Sequence, residues 1–303
     1  MDDKALRLPL EFTKTITSVF GEKGRAWLIQ LSELIARAAR QWGLTDIQPV
    51  SNLSYNFVSF AKQGANDVVL KIGVPNKELT GEMSALKLFN GGGACQLLDC
   101  DVEQGFLLLE RLAPGRMLSE LKDDDERARI AADMMQKLWR EVPEQHNFIL
   151  LSDWFDGLKK IRPHFNGGTG VFPKKLLERV ESSLPELFAD KNIKLIHGDF
   201  HHYNVLSSAR GWLVIDPKGV IGPAGYEIGP FMLNPCYETI AAAKFKTRAE
   251  RRADILSEKL NWTRKKIIRW ATAHAVLSAW WSIEDGADWE YSLRCAEVFS
   301  KLG

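Results

Sequence analysis

The stretch His197-Gly198-Asp199-Phe200-His201-His202-Tyr203-Asn204 spells H-x-D-x-x-x-x-N. That spacing sets a proton-accepting carboxylate and a cation-binding amide on one short loop. Asp216 follows directly on the apolar run Trp212-Leu213-Val214-Ile215. Phosphoryl transfer from a nucleoside triphosphate needs charge neutralised on the phosphates, an in-line acceptor oxygen, and a group for the acceptor's proton. Asp199 is the candidate base, orienting the acceptor hydroxyl and taking its proton late. Asn204 and Asp216 are the candidate Mg2+ ligands, offering the oxygen atoms a hard cation prefers. A lone Asp or Asn in a loop is ordinarily a turn former or a cap; the joint spacing gives these three their weight. His197 reads as a structural hydrogen-bonding residue. His201 and His202 are adjacent, with no third ligand spaced to join them, so the reading is against a metal there.

The phosphates need a cation as well. Lys71 closes the strand Val68-Val69-Leu70-Lys71 and is the candidate partner of the α- and β-phosphates. Eleven residues later comes Glu82, placed by helical periodicity to hold the Lys71 ammonium, with Glu78 one turn earlier as its competitor. Phe106-Leu107-Leu108-Leu109-Glu110-Arg111-Leu112 reads as the strand behind an adenine pocket, with the Glu110 carbonyl and the Leu112 N–H as the contacts. Ser51-Asn52-Leu53-Ser54-Tyr55-Asn56 stands where a glycine-rich lid is expected and has no glycine.

These residues need elements to position them. Periodicity predicts a helix from about Lys23 to Trp42, strands at Val50–Phe60 and Asp67–Ile72, a helix at Glu78–Phe89, and strands at Ala94–Leu98 and Phe106–Leu109. Asn90-Gly91-Gly92-Gly93 ends the second helix, and Leu112-Ala113-Pro114-Gly115 reads as a hinge. Beyond it helices dominate, at Ala128–Leu138 and near Ser152–Ile161, Lys174–Ser183, Arg248–Leu256, Arg264–Ile283 and Ala287–Phe299. The expectation is a small sheet-rich lobe over residues 1–111 and a larger, mainly helical lobe over 112–303. Pro163 to Gly170 reads as a surface loop without the Lys-Ser/Thr of a phosphate-binding P-loop.

At 303 residues the chain can bury a sizeable core. Lys and Arg number 40 against 39 Asp and Glu, so no net charge points to nucleic acid or a membrane surface. The four cysteines lack C-x-x-C spacing, which argues for reduced thiols over a zinc site. Met1-Asp2-Asp3-Lys4 lacks an apolar signal core, and no stretch reaches the roughly 20 apolar residues of a membrane span. The expectation is a cytoplasmic protein; oligomeric state is not legible.

Together, Val69-Leu70-Lys71-Ile72-Gly73, Leu107 to Leu112, the His197 to Asn204 loop, Gly211-Trp212-Leu213-Val214-Ile215-Asp216-Pro217-Lys218-Gly219 and Ser278 to Gly286 carry a resemblance. The chain resembles the aminoglycoside phosphotransferase group of the kinase-like superfamily, and within it the streptomycin 6-kinase and hydroxyurea phosphotransferase branch. The resemblance implies an α+β, bilobal protein-kinase-like fold, ATP with Mg2+, and a small hydroxylated, often cationic acceptor. His-Gly-Asp in place of His-Arg-Asp, and no Ala-Pro-Glu after Asp216, favour a small-molecule kinase over a protein kinase. A cationic acceptor calls for carboxylates and aromatic faces. Glu284, Asp285 and Asp288, with Glu290 and the interleaved Trp280, Trp281 and Trp289, are the first candidates. Asp153 and Asp156 around Trp154-Phe155 are the second. Glu227 is expected to brace the loop after Asp216. The alternatives are a kinase of a cellular amino alcohol or sugar amine, and a nucleotide-binding regulator without catalysis.

Overall fold

The computed structural model describes residues 8–236 and 242–303; Met1 to Lys4, read above for a signal sequence, lie outside the described residues. The chain divides into two compact units, one running up to Gly91 and resuming over Cys95–Leu112, the other comprising Gly92–Ala94 and Ala113–Gly303.

The first unit is a five-stranded antiparallel sheet with two helices. Helix α1 (Leu10–Trp42) starts thirteen residues before the predicted Lys23, because Gly21 takes a non-helical φ of 56° and two helical stretches meet there. The glycine-flanked sequence Gly21-Glu22-Lys23-Gly24 carries no apolar residue, which is why periodicity lost the helix at that point. Gly43 ends α1 in the left-handed conformation, φ 63°, with its N–H on the Ala39 carbonyl. Strand β1 (Leu44–Pro49) was not predicted. It is polar and bulged between Thr45 and Gln48, and it lies at the sheet edge, so it shows no period-two pattern.

Strand β2 (Phe57–Gln63) replaces the predicted Val50–Phe60; residues 51–56 are the connection, and the Val50 N–H reaches the Val58 carbonyl at its base. A two-residue turn leads into β3 (Asn66–Ile72), with Gly64 at φ 59°. Alternation along β3 sends Val68, Leu70 and Ile72 into the core with α1 and leaves Lys71 on the other face. Helix α2 (Lys77–Phe89) is capped by the Asn76 side chain, which accepts the Leu79 N–H, and stops at Asn90 in the left-handed region. Strands β4 (Leu97–Asp101) and β5 (Phe106–Glu110) complete the order β1-β2-β3-β5-β4. Ala94, predicted to open the fourth strand, instead bridges Val214 in the second unit, so β4 starts three residues late.

The second unit is mainly helical with two small three-stranded sheets. The predicted hinge contains strand β6 (Pro114–Met117). Helix α3 (Asp124–Leu138) follows with three acidic residues in its first turn, where the helix dipole favours them. Next come β7 (Ile149–Leu150), α4 (Leu151–Asp156), a tight turn over Gly157–Lys160 and α5 (Ile161–His164), which divide the single helix predicted near Ser152–Ile161. Helix α6 (Lys174–Phe188) leads to β8 (Ile193–Ile196), β9 (Val205–Ser208), β10 (Gly211–Val214) and β11 (Val220–Pro223). The last helices are α7 (Ile228–Leu233), α8 (Ala242–Leu260), α9 (Arg264–Glu284) and α10 (Glu290–Ser300). Strands β10-β9-β6 form one sheet and β7-β11-β8 the other, so the loop from His197 to Asn204 runs from one sheet to the next. Among the described residues no helix is long and apolar enough to cross a membrane.

Arg252 of α8, 1% exposed, ties this unit together. Its Nε and Nη2 meet both Asp124 oxygens at 2.8 and 2.6 Å; Nη1 donates to the Phe231 and Asn234 carbonyls; Nη2 also lies 3.1 Å from His202 Nε2. One guanidinium therefore joins α3, α7, α8 and the 197–204 loop. Removing one partner of such a buried ion pair strands the other charge and the carbonyls. Arg252→Met is expected to lower stability by about 3 kcal/mol, read as a fall in the urea midpoint at unchanged slope; a midpoint equal to the parent's would contradict that role.

Candidate active site

In the first unit, Lys71 and Glu82 form a buried ion pair. Nζ lies 2.7 and 2.6 Å from the two carboxylate oxygens, and both side chains are 6% exposed. The strand alternation that keeps Lys71 off the α1 face turns it toward α2, where Glu82 sits on the inner side. The competitor Glu78 is on the exposed side. The connection 51–56 approaches the end of β3: a Cβ on Gly73 would lie 2.3 Å from Asn56 Oδ1, so only glycine fits there. Glu110 ends β5 with its N–H on the Gln96 carbonyl and its carboxylate on the Gln96 N–H, at 2.9 and 3.0 Å. Leu112, two residues on, is buried at 8% exposure.

In the second unit, the 197–204 loop is fixed from three sides. His197 is fully buried, and its Nε2 lies 2.9 Å from the Ile215 carbonyl while its Nδ1 accepts the Asp199 N–H at 3.2 Å. A neutral ring protonated on Nε2 satisfies both, and burial keeps it neutral by pushing its pKa down to about 4 against the pull of Asp199. The His197 carbonyl accepts the Lys218 N–H at 2.7 Å. Glu227, also fully buried, accepts the N–H groups of His197 and Gly198 at 3.2 and 2.9 Å. Glu227 thus braces the loop ahead of Asp199, and not the one after Asp216 as expected. Burial pushes its pKa up to about 8, with the two N–H donors opposing and the Asp199 charge adding to the rise. Gly198 sits at φ 86°, where a Cβ would lie 2.7 Å from Val220 Cγ2 and 3.1 Å from Trp154 Cη2. The glycine of His-Gly-Asp is therefore a steric requirement.

Asp199 keeps about a third of its side chain open, at 36% exposure, and lies 3.5 Å from His201 Nε2. Burial of the rest opposes ionisation, but His201 and Lys218 outweigh it and hold the carboxyl well below the usual range. Asn204 Nδ2 donates to the Asp199 carbonyl at 3.1 Å, and the Asn204 carbonyl accepts the Ile215 N–H at 2.9 Å. Strand β10 ends at Val214, and Asp216 takes the left-handed region with φ 60°. For a non-glycine residue that conformation costs about 1–3 kcal/mol and marks a position determined by its surroundings. Asp199 and Asn204 thereby share one hydrogen-bonded frame, into which Ile215, next to Asp216, is bonded. His202 turns away, stacked on Phe231 at 4.4 Å and bonded to Arg252, so the two histidines do not share a ligand.

The acceptor candidates are spread out. Glu284 is exposed and paired with Lys160 at 3.1 Å, and Asp288 accepts the Glu290 N–H at the start of α10. Asp285 is exposed at the end of α9. Trp281 is half-buried and stands edge-on to Trp154, ring centroids 5.4 Å apart. Sequence reasoning gave no role to Lys218, whose charge acts on Asp199; its signal was its place two residues after Asp216.

Sharply shifted groups make stability depend on pH. His197 and His274 have folded values of about 4 below their ordinary 6.5, both through burial. Between those limits the unfolded chain binds more protons, so their contribution is lost as pH falls. Glu227 runs the other way: its folded value of about 8 lies above 4.5, so stability is lost as pH rises across that window. Below pH 6.5 these two histidines, joined by His202, which burial also holds well below 6.5, outweigh one carboxyl, and above it Glu227 dominates. The thermal midpoint is expected to peak near pH 6.5, and Glu227→Gln to flatten the alkaline limb. An alkaline limb of equal slope in the variant would contradict the assignment.

Comparison with known proteins fits this geometry. The chain is 29% identical to a streptomycin 6-kinase of Streptomyces glaucescens over 94% of its own length and 93% of that protein's. It is 29% identical to a hydroxyurea phosphotransferase of Kitasatospora aureofaciens, covering 93% of this chain and 82% of that one. Its fold is like that of a choline kinase from Streptococcus pneumoniae, with a TM-score of 0.60 at 14% identity over 90% of this chain and 98% of that one. The fold is thus the α+β, kinase-like one, a small sheet-rich unit and a larger helical one. Residues 41–286 match the aminoglycoside/hydroxyurea antibiotic resistance kinase family, and the chain belongs to that family of phosphotransferases.

Proposed function

We propose that this protein transfers the γ-phosphoryl group of ATP to a hydroxyl of an aminoglycoside-like acceptor, with Asp199 as the base. The observation that carries the reading is the constrained His197–Asn204 loop, which presents a partly open, ionised Asp199 from an otherwise fixed main chain. Family membership supports the reaction class, and the streptomycin 6-kinase relatives support the acceptor class.

Each residue then has a task. Lys71, held by Glu82, neutralises the α- and β-phosphates. The main chain at Glu110 and Leu112 takes the adenine edge, making the first unit the nucleotide-binding lobe. Asn204 and Asp216 fit Mg2+: one amide and one carboxylate, both oxygen donors. The Asn204 Nδ2 is spent on the Asp199 carbonyl, which assigns its Oδ1 to the cation. Mg2+ supplies charge neutralisation on the phosphate oxygens. A carboxylate held below the usual range is a weak base, which suits a loose transition state where the acceptor's proton leaves late. Asp199 therefore acts first by orienting the hydroxyl.

Incubation with Mg-ATP and streptomycin is expected to add one phosphoryl group to the antibiotic by mass spectrometry; no product would remove streptomycin as acceptor. Asp199→Ala is expected to keep ATP affinity and lower turnover by about two or more orders of magnitude. Asp216→Ala is expected to weaken binding of Mg-ATP more than of ATP in EDTA. Equal losses in the two titrations would contradict the metal role.

A further inference from the structure

We infer that His201 is a positioning residue of the phosphoryl transfer: its Nε2 stands between Asp199 and Asn204, serves one of them at a time, and so ties loading of the cation site to release of the base. The inference deepens the proposed function and rests on the roles given there to Asp199 and Asn204.

The ring is placed by its own turn. The His201 carbonyl accepts the Asn204 N–H at 2.9 Å, which closes the segment 201–204, and Tyr203 stands edge-on to the imidazole with centroids 5.7 Å apart. Nε2 then has two neighbours, Asn204 Nδ2 at 3.3 Å and Asp199 Oδ2 at 3.5 Å. The other nitrogen, Nδ1, is buried and has no hydrogen-bond partner among the described residues. His197 is the contrast: both its nitrogens are engaged, by the Ile215 carbonyl and the Asp199 N–H, so its hydrogen has one place. Nothing at Nδ1 of His201 fixes the ring hydrogen in that way. An apolar ring of the same shape would avoid stranding Nδ1, so an imidazole here is explained by what Nε2 does.

The two neighbours ask opposite things of Nε2. An amide nitrogen only donates, and a carboxylate only accepts. Asn204 Nδ2 has two hydrogens; one goes to the Asp199 carbonyl at 3.1 Å, and the other faces the ring. A bare Nε2 accepts it, which holds Nδ2 by both hydrogens and leaves Oδ1 for a cation. With a hydrogen on Nε2, the ring donates to Asp199 Oδ2 instead and meets Asn204 donor to donor. Between these settings one hydrogen leaves Nε2 and one arrives at Nδ1, so the charge of the ring does not change. In the unloaded chain the hydrogen belongs on Nε2, because a buried N–H without an acceptor at Nδ1 is worse than a lone pair there. An amide polarised at its oxygen is a stronger donor at its nitrogen. Loading of Oδ1 therefore favours the bare Nε2, and Asp199 Oδ2 is released from the ring for the acceptor's hydroxyl. By the same linkage, a hydroxyl held on Oδ2 favours loading of Oδ1.

The ring and the binding are both read on the full chain, without turnover. In protein labelled at its histidine nitrogens, the His201 ring is assigned in NMR spectra by correlation to its own main chain. Mg-ADP is expected to move Nε2 from the range of a hydrogen-bearing nitrogen to that of a bare one, and ADP in EDTA to leave it in place. By calorimetry, His201→Phe is expected to weaken Mg-ADP binding about fivefold or more and to leave ADP binding in EDTA unchanged, because Asn204 loses its second acceptor. His201→Gln, whose amide offers an oxygen to Asn204 and an N–H to Asp199, is expected to stay within about threefold of the parent. A ring that only fills space predicts the reverse order. The inference is overturned if Mg-ADP binds and the His201 ring does not change, or if the folded Phe variant binds Mg-ADP as well as the Gln variant does. An absence of Mg-ADP binding in the parent would sink the cation reading and the inference with it. Thermal midpoints report whether the variants fold, and the parent's spectrum decides alone if neither does.

Discussion

The neutral imidazole of His197 is the interaction on which the site depends. One ring nitrogen must donate to the Ile215 carbonyl and the other must accept the Asp199 N–H. Only the uncharged tautomer does both, and complete burial is what secures it. The ring thereby locks the start of the loop to the end of β10, which sets where Asp199 stands relative to Asp216. Glu227 completes the lock from the other side by taking the two N–H groups that the turn leaves without a strand partner. With its neighbours so held, Gly198 has no freedom and no space for a side chain. The Asp199 carboxylate is the part of this segment left partly open.

Two of the buried ion pairs among the described residues make different physical sense. A buried pair costs desolvation that its Coulomb attraction does not reliably return, so burial alone does not explain why one is kept. The Arg252–Asp124 pair is explained by its other bonds: two carbonyls at the end of α7 and His202 in the loop would otherwise lack donors. The Lys71–Glu82 pair crosses from one strand to one helix, and its bidentate geometry fixes where a single ammonium points. A hydrophobic pair of similar volume would hold β3 to α2 at least as well. Keeping the charges there makes sense if the ammonium has a further task, which is the reading given to it as a phosphate partner.

What the sequence made legible follows from what each signal depends on. The loop residues were legible because their chemistry is carried by type and spacing within one short segment. Glu82 was legible because strand-to-helix spacing and a 3.6 period select it, and the buried face then separates it from Glu78. Helices α2, α3, α6 and α9 show apolar periodicity or caps and were placed within a few residues. Strand β1 was missed because a bulged polar edge strand has no alternation to read, and β4 slipped because Ala94 pairs with Val214, far along the chain. Glu227 was singled out by its charge in an apolar run, but its partners lie thirty residues away, a separation that local pattern cannot resolve. The partners of Trp154 were out of reach for the same reason: Gly198, Tyr226 and Trp281 come from three other segments.

The site therefore separates two kinds of constraint. Where the chemistry is set, the fixing groups are main-chain N–H and carbonyl groups plus buried His197 and Glu227, and almost any substitution leaves a buried polar group unpaired. Trp154 and Trp281, by contrast, are half-buried side chains on α4 and α9 held by ring contacts. The first kind tolerates little change and the second tolerates more. Gly198 is the exception that links them. It is a member of the fixed frame by its φ of 86° and a neighbour of α4 by its approach to Trp154. A bulkier residue in place of Gly198 would push on both at once. By the same geometry, α4 is tied to the loop, since the rim of Trp154 rests on the backbone one residue before Asp199.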